Sequence, residues 1–259
     1  MTPPTIALLT DFGTKDAYVG MMKAVISSMN PNAKILDISH NIRPQQVREA
    51  AYVLWSAYRY FPEKTVFVCV VDPTVGSQRK IVVVKTPHHT FIAPDNGLLD
   101  LVLVENEVYH AVSVTNPKFF LKNISPTFHG RDIFAPIAAH LSTGVAPAAM
   151  GNDINLKHRE TSFVTIKKAG DYQGKIIYTD HFGNLITNIR ISKPFQTSIE
   201  FLNHRFDSLK RTYSDAEKGK TLCLIGSSGL LEISVRDGNA KDFFGVRDGI
   251  DLKVEVSIT

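Results

Sequence analysis

An acid and a base frame one short loop in the segment CVVDPTVGSQRK, residues 69–80. Asp72 follows a run of apolar β-branched residues, and Arg79 stands seven positions later, after a proline, a glycine and a serine. A carboxylate can accept a proton or orient a water molecule, while a guanidinium stays cationic and favours anionic character beside it. The segment therefore predicts a polar site where a buried strand ends.

Other acids stand at comparable places in the chain. Asp11 in LLTDFG and Asp180 in IIYTDHFGN also follow apolar runs, and Asp16 precedes a helical pattern. Ligands of open α/β sheets bind beyond the carboxyl ends of the strands, which favours Asp11 and Asp72 as site residues. Each acid also has a plain structural interpretation, because Asp often caps a turn or a helix. Both interpretations stay open at this point.

His129, in the segment PTFHGRD, is a third candidate for chemistry. A lone histidine is more often structural than catalytic, and the neighbouring Arg131 and Asp132 could be an ordinary ion pair at the start of a helix. An Asp, an Arg and a His together would suit the holding and activation of water. The residues alone predict no more than that.

Several classes of site lack their motifs. The sequence has no HExxH, HxH or DxDxDG pattern and no clustered cysteines, so it predicts no metal. It has neither a GxxxxGK[ST] loop nor a GxGxxG segment after the first strand, which argues against a kinase or a nicotinamide dehydrogenase. No GxSxG nucleophile elbow is present. We expect no metal and no cofactor.

The elements that must position these residues change type along the chain. Strand-like runs such as TIALLT, KILDIS and TVFVCVV alternate with helical patterns up to about residue 158, which predicts a layered α/β domain with a largely parallel sheet. Beyond it, GKIIYTDHFGNLITNIRI and KTLCLIGSSGLLEISVRDG read as strand pairs around Gly and Asn turns. The predicted division is an N-terminal domain at 1–158, a linker at 159–170 and an antiparallel β-barrel domain at 171–259.

Composition excludes several partners. The 259 residues are 44% hydrophobic and carry a formal charge of +4 without any Lys/Arg block, which argues against nucleic-acid binding. No apolar run approaches the ~18–20 residues of a membrane-spanning helix, and the N-terminal segment does not read as a signal peptide. The two cysteines lie inside apolar runs, as in reduced, cytoplasmic proteins. We expect a cytoplasmic protein that acts on a small molecule.

Five segments together resemble a known family: TDFGTKDAYVGMMKAVI, VDPTVGSQR, IAPDNGLL, TFHGRDIFAP and TDHFGNLITN. They are similar to the S-adenosylmethionine hydrolases, or hydroxide adenosyltransferases, which are related to the fluorinase and chlorinase. The resemblance extends from Leu8 to about Gly245. It implies an N-terminal α/β domain, a C-terminal β-barrel and a homotrimer whose substrate lies between neighbouring subunits. The implied reaction is attack of water or hydroxide on the ribose C5′, which releases methionine and adenosine without a cofactor.

The resemblance also implies roles for particular residues. Asp72, Arg79 and His129 match the group that activates water, and which of them takes the proton stays open. Among the substrate-binding positions, Asp11 matches the acid at the ribose hydroxyls, and Asp16 and Asp180 match acids near the methionine end. Phe182, Asn184 and the backbone near Val235 match contacts with adenine. Ser227, Ser228 and Glu232 match a hairpin that closes over the substrate from the neighbouring subunit.

Alternative functions remain beside hydrolysis. The chain could bind adenosine or S-adenosylmethionine without turnover, although pure binding does not need a water-activating group. A metal-assisted hydrolase built on Asp and His is a weaker alternative. Halogenation is disfavoured, because the halogenases carry an uncharged side chain at the position of Asp72, where a carboxylate would repel a halide. The family also suggests the R-sulfonium epimer as the physiological target.

Overall fold

The computed structural model describes residues 3–156, 165–166, 172–191, 197–247 and 252–258. The chain separates into two compact units, Met1–Thr161 and Ser162–Thr259. The predicted linker, 159–170, lies outside the described residues apart from 165–166. No helix within the described ranges combines the length and the apolar character needed to cross a membrane.

A seven-stranded sheet forms the centre of the first unit, in the order β2-β1-β3-β5-β4-β6-β7. Its strands are β1 (Thr5–Thr10), β2 (Lys34–Ser39), β3 (Val66–Val70), β4 (Ile81–Lys85), β5 (Thr90–Pro94), β6 (His110–Val114) and β7 (Gly151–Asp153). The four strands β2, β1, β3 and β5 are mutually parallel. The other three pair in antiparallel fashion, beginning with the β4–β5 hairpin. The predicted layered α/β unit is confirmed.

Helices cover both faces of this sheet. They are α1 (Tyr18–Met29), α2 (Val47–Ala57), α3 (Asp100–Leu103) and α4 (Ala135–Ser142). Helices α1 and α4 pack together over β1 and β3 and bury one apolar cluster. On the opposite face α2 packs over β1 and β2, and the residues that follow it place Tyr58 and Phe61 against Phe91 and Phe67. Burial on both faces explains why these strands are continuous apolar runs.

A π-helical turn, Gly130–Phe134, leads directly into α4. Pro136 is the second residue of α4 and cannot donate to the carbonyl of Asp132, four residues earlier. That carbonyl accepts instead from the backbone N–H of Leu121 at 2.9 Å, so the helix predicted across Pro136 forms without leaving it unpaired.

The second unit is an all-antiparallel, barrel-like sheet in the order β12-β11-β15-β9-β10-β14-β13, with β8 paired to β9. Its strands are β8 (Thr165–Ile166), β9 (Tyr172–Thr179), β10 (Leu185–Thr187), β11 (Thr197–Phe201), β12 (His204–Phe206), β13 (Thr221–Ile225), β14 (Leu231–Val235) and β15 (Lys253–Ile258). A short helix, α5 (Ala240–Phe243), follows β14. In β14, Leu231, Ile233 and Val235 point into the apolar core of the second unit, which leaves Glu232 and Ser234 on the opposite face of the strand. The predicted antiparallel barrel-like unit is confirmed.

Candidate active site

The loop between β3 and β4 brings Asp72 and Arg79 into direct contact. Arg79 Nε donates to Asp72 Oδ2 at 2.6 Å, and Arg79 Nη2 lies near the same oxygen. The side chains of Asp72 and Arg79 are only 4% and 9% exposed. Ion pairs so poorly solvated are screened little by salt.

His129 joins this pair through the same guanidinium. Arg79 Nη2 lies 3.0 Å from His129 Nδ1. Because a guanidinium only donates hydrogen bonds, Nδ1 must accept and the ring proton must sit on Nε2. Burial lowers the pKa of His129, and the charge of Arg79 lowers that pKa further, against smaller opposing effects of Asp72 and Asp132. His129 is therefore a neutral imidazole at pH 7 with Nε2–H as its free donor.

Two loops are pressed together to make this contact. Gly76 has φ +79°, and a Cβ atom at that position would lie 2.6 Å from the carbonyl oxygen of Pro126, shortly before His129. Only glycine fits such a conformation and such a close approach. Asp132 fixes the second loop, since it is fully buried and accepts from the backbone N–H of Ser125 at 2.8 Å and from Arg131 Nε at 2.6 Å. The Arg131–Asp132 pair is thus structural, as its plain interpretation has it.

One oxygen of the cluster remains available for a small polar molecule. Asp72 Oδ2 is taken by Arg79, whereas among the described residues Asp72 Oδ1 has only a long contact of 3.3 Å with the hydroxyl of Thr74. An acceptor at Asp72 Oδ1 and a donor at His129 Nε2 can together orient one water molecule. Among the described residues, no group of three or more His, Cys, Asp or Glu side chains is placed to hold a metal ion.

Asp11 and Asp16 lie at the same end of the first unit. Asp11 Oδ2 accepts from the backbone N–H of Gln45 at 2.8 Å, which orients the carboxylate and leaves Oδ1 for a ligand. Asp16 is exposed and does not cap α1, because the N-cap is Ala17 and no side chain caps that helix. The capping interpretation of Asp16 is wrong.

Sequence reasoning missed an aromatic cluster beside His129. The rings of Phe12, Tyr18 and Phe128 meet pairwise, with centroids 5.1 to 5.9 Å apart. Phe12 and Phe128 directly follow Asp11 and directly precede His129 in the chain. Their adjacency to two candidate site residues was the available signal.

The other predicted residues lie in the second unit. Asp180 accepts three hydrogen bonds from its own turn, from the backbone N–H groups of Phe182 and Asn184 at 2.9 and 2.8 Å and from Asn184 Nδ2 at 2.9 Å. These bonds give Asp180 the turn-stabilising role that its plain interpretation describes. They also present the Phe182 ring to solvent, 72% exposed, where it is free to stack on a flat ligand.

Glu232 is a buried carboxylate on the face of β14 that points away from the core. It is 5% exposed, and its Oε1 accepts from Tyr213 Oη at 2.7 Å and from Ser234 Oγ at 2.8 Å. Burial and the Glu232 carboxylate raise the pKa of Tyr213, so its phenol remains a donor. A Cβ on Gly226 would lie 2.5 Å from Glu232 Oε2, so the glycine leaves room beside that oxygen. Tyr213 was missed by sequence reasoning, because nothing in RTYSD marks a site.

The remaining predicted residues lie in the same β13–β14 hairpin as Glu232. Ser227 and Ser228 occupy its turn, with Ser227 exposed and Ser228 half-buried. The Val235 side chain packs in the core, and its carbonyl accepts from the backbone N–H of Gly238 at 3.1 Å. The contact of the backbone near Val235 with adenine stays a prediction. The structure thus groups Asp72, Arg79 and His129 in the first unit and Glu232, Ser227 and Ser228 in the second.

Comparison with known families gives two matches in chain order. The model of the SAM hydroxide adenosyltransferase N-terminal domain matches residues 6–151, and the model of the C-terminal domain of the same family matches residues 174–253.

Individual relatives and solved structures agree over nearly the whole chain. An (R)-S-adenosyl-L-methionine hydrolase of Thermus thermophilus is 33% identical, covering 96% of this chain and 98% of its own. One from Methanocaldococcus jannaschii is 35% identical, with coverage of 93% and 92%. A fluorinase of Nocardia brasiliensis is 27% identical, with coverage of 98% and 97%. The crystal structure of an uncharacterized conserved protein from Thermotoga maritima, 36% identical, covers 97% of this chain and 99% of its own with a TM-score of 0.88.

Proposed function

Because the chain belongs to the S-adenosylmethionine hydroxide adenosyltransferase family, we propose that it hydrolyses S-adenosylmethionine to adenosine and methionine. Hydrolases of this kind are 33% and 35% identical to it over nearly their full lengths, whereas a fluorinase is 27% identical. The observation that carries the proposal is the contact of Arg79 with both Asp72 and His129, which leaves one carboxylate oxygen and one imidazole N–H for a water molecule.

Asp72 is the proton acceptor in this proposal. Arg79 cannot accept a proton, and His129 Nδ1 is occupied by the Arg79 donor. Asp72 Oδ1 therefore takes the proton of the water, while His129 Nε2–H orients its oxygen. The water oxygen bonds to C5′ as the C5′–S bond breaks, and the electron pair of that bond goes to sulfur. Methionine leaves as a neutral thioether, so no general acid is required and an aligned, poorly solvated water suffices.

The same carboxylate disfavours halide as the nucleophile. Asp72 is 4% exposed, and an anion brought next to a poorly solvated carboxylate is repelled far more strongly than in water. Water, which is neutral, has no such penalty. Chloride should therefore change neither the products nor their ratio.

Further parts of the proposal come from the family resemblance together with the local geometry. Asp11 Oδ1 binds the ribose hydroxyls, Phe182 stacks on adenine, and Asp16 and Asp180 lie near the methionine portion. Glu232 belongs to the hairpin that closes over the substrate. The R-sulfonium epimer is the preferred substrate, and no cofactor takes part. We further propose a cytoplasmic homotrimer whose sites lie at the subunit interfaces.

Incubation of the purified protein with each sulfonium epimer, with and without chloride and chelator, tests the proposal by chromatography. We expect equal amounts of adenosine and methionine, independent of both additives and abolished in Asp72→Asn. Tight adenosine binding without product would favour a binding protein, and loss of activity with chelator would favour a metal-assisted hydrolase. A halogenated nucleoside would overturn the choice of water as nucleophile.

A further inference from the structure

The loop that carries Asp72 and Arg79 crosses the turn that follows β5. In the sheet β5 is placed between β3 and β4, parallel to β3 and antiparallel to β4. The carboxyl ends of β3 and β5 and the start of β4 therefore share one edge of the sheet. To pass from β3 to β4, the loop must cross over the end of β5, where Asp95, Asn96 and Gly97 form the turn.

Two hydrogen bonds tie this turn to both ends of the loop. Asn96 Nδ2 donates to the carbonyl of Val71 at 2.8 Å, one residue before Asp72. The backbone N–H of Asp95 donates to the carbonyl of Lys80 at 2.9 Å, one residue after Arg79. Asn96 is itself fixed, because its Oδ1 accepts from the backbone N–H of Leu98 at 3.2 Å. The turn after β5 thus fixes both ends of the loop that carries Asp72 and Arg79.

We propose that Asn96 is a positioning residue for the hydrolysis: its hold on the Val71 carbonyl fixes where the loop begins and so aligns Asp72 with Arg79. The hydrogen bond from the backbone N–H of Asp95 does not depend on a side chain. Of the two bonds that hold the loop, only the one from Asn96 can therefore be removed by a substitution. A loop held at only one end lets Asp72 and Arg79 move relative to His129, which lies on a different segment. The kinetic part of this inference rests on the proposed function; the geometric part does not.

Asn116 offers a closely matched control in the same unit. Its Nδ2 donates to the carbonyl of Ala149 at 2.8 Å, and its Oδ1 accepts from the backbone N–H of Lys118 at 3.2 Å. Both asparagines are half-buried. Asn96→Ala and Asn116→Ala therefore remove the same two interactions, one beneath the Asp72 loop and one away from it.

The test compares these two variants by kinetics and by NMR titration. Asn96→Ala should lower kcat roughly 10- to 100-fold, as expected when reacting groups shift by a fraction of an ångström to an ångström, with KM changed less than about twofold. Asn116→Ala should retain the kcat of the unmodified protein while losing similar thermal stability. In Asn96→Ala the pKa of His129 should also rise toward its ordinary value as Arg79 moves away, and His129→Asn identifies the resonance.

Each outcome decides the question. A wild-type kcat and an unchanged His129 titration in Asn96→Ala would overturn the positioning role, as would equal kinetic losses in Asn96→Ala and Asn116→Ala. Absence of adenosine from the unmodified protein would instead refute the proposed function, and the His129 titration alone would then decide on positioning. If Asn96→Ala does not fold, Asn96→Asp and Asn116→Asp, which keep the Oδ1 bonds, replace the pair.

Discussion

The protonation state of His129 follows from its neighbour rather than from the histidine itself. Arg79 can only donate, so the contact at 3.0 Å exists only while His129 Nδ1 is unprotonated. Burial and the charge of Arg79 both lower the pKa of His129 below its ordinary value of 6.5. A group with a lowered pKa charges only below that ordinary value, and charging here would push Arg79 away.

We therefore predict that kcat/KM stays constant down to pH 6.5 and falls below it. In His129→Asn the amide oxygen can still accept from Arg79 but does not titrate. This variant should be slower, and its kcat/KM should not show the fall below pH 6.5 that is due to His129. A pH–rate profile of both proteins provides the measurement. A midpoint at or above pH 6.5, or an identical limb in the variant, would contradict the assigned tautomer.

A second prediction concerns the orientation of Glu232. Tyr213 Oη donates to Glu232 Oε1 at 2.7 Å, and this bond directs Oε2 toward the space beside Gly226. Tyr213→Phe should raise KM about tenfold and leave kcat nearly unchanged, because hydrogen bonds to a charged group contribute about 1.5–3 kcal/mol. Tyr60→Phe, at a side chain that is 83% exposed, is the control and should alter neither constant. A fall in kcat at constant KM would place Tyr213 in the chemical step instead.

The positions of the strands were the feature of the fold most predictable from the sequence. Their directions, parallel or antiparallel, were the least predictable. The segments VFVCV and IVVVK are equally apolar, yet β3 pairs in parallel and β4 in antiparallel fashion. Periodicity reports burial on both faces and carries no information on direction. Direction follows from the connection, which is a tight hairpin between β4 and β5.

Some of the candidate site residues could be identified from the sequence, and others could not. Asp72 and His129 could be found, since each stands beside an element end in a recognisable segment. Asn96 and Tyr213 could not, because their partners, Val71 and Glu232, are 25 and 19 positions away in the chain. Contacts of that range depend on sheet order, which a single sequence does not reveal.

The approach of the two loops at Gly76 yields an element-scale prediction. In Gly76→Ala the new methyl group would meet the Pro126 carbonyl at 2.6 Å, so the loop bearing Asp72 must move away from the segment bearing His129. Gly144→Ala is the matched control, because Gly144 also has positive φ, +95°, but open space around the Cβ position. Both variants should lose about 1–2 kcal/mol of stability from backbone strain. Only Gly76→Ala should also lower kcat, and equal activities would show that the loop approach is unimportant.

At the scale of the whole molecule, the candidate groups are divided between two units of different architecture. The water-activating group lies wholly in the first unit, and the buried carboxylate Glu232 lies in the antiparallel sheet of the second. The two family models divide the chain in the same order, at 6–151 and 174–253.

The proposed homotrimer supplies the two groups from different subunits, and complementation tests this arrangement. Asp72→Asn disables the first-unit group and Glu232→Gln the second-unit group, so each variant alone should be nearly inactive. When they are co-expressed, head-to-tail contacts place an intact Asp72 beside an intact Glu232 of a neighbour at about a quarter of the interfaces. Adenosine formation should therefore recover to roughly that fraction of the unmodified rate. A site built within one chain would give no recovery, because every chain in the mixture carries one of the two substitutions.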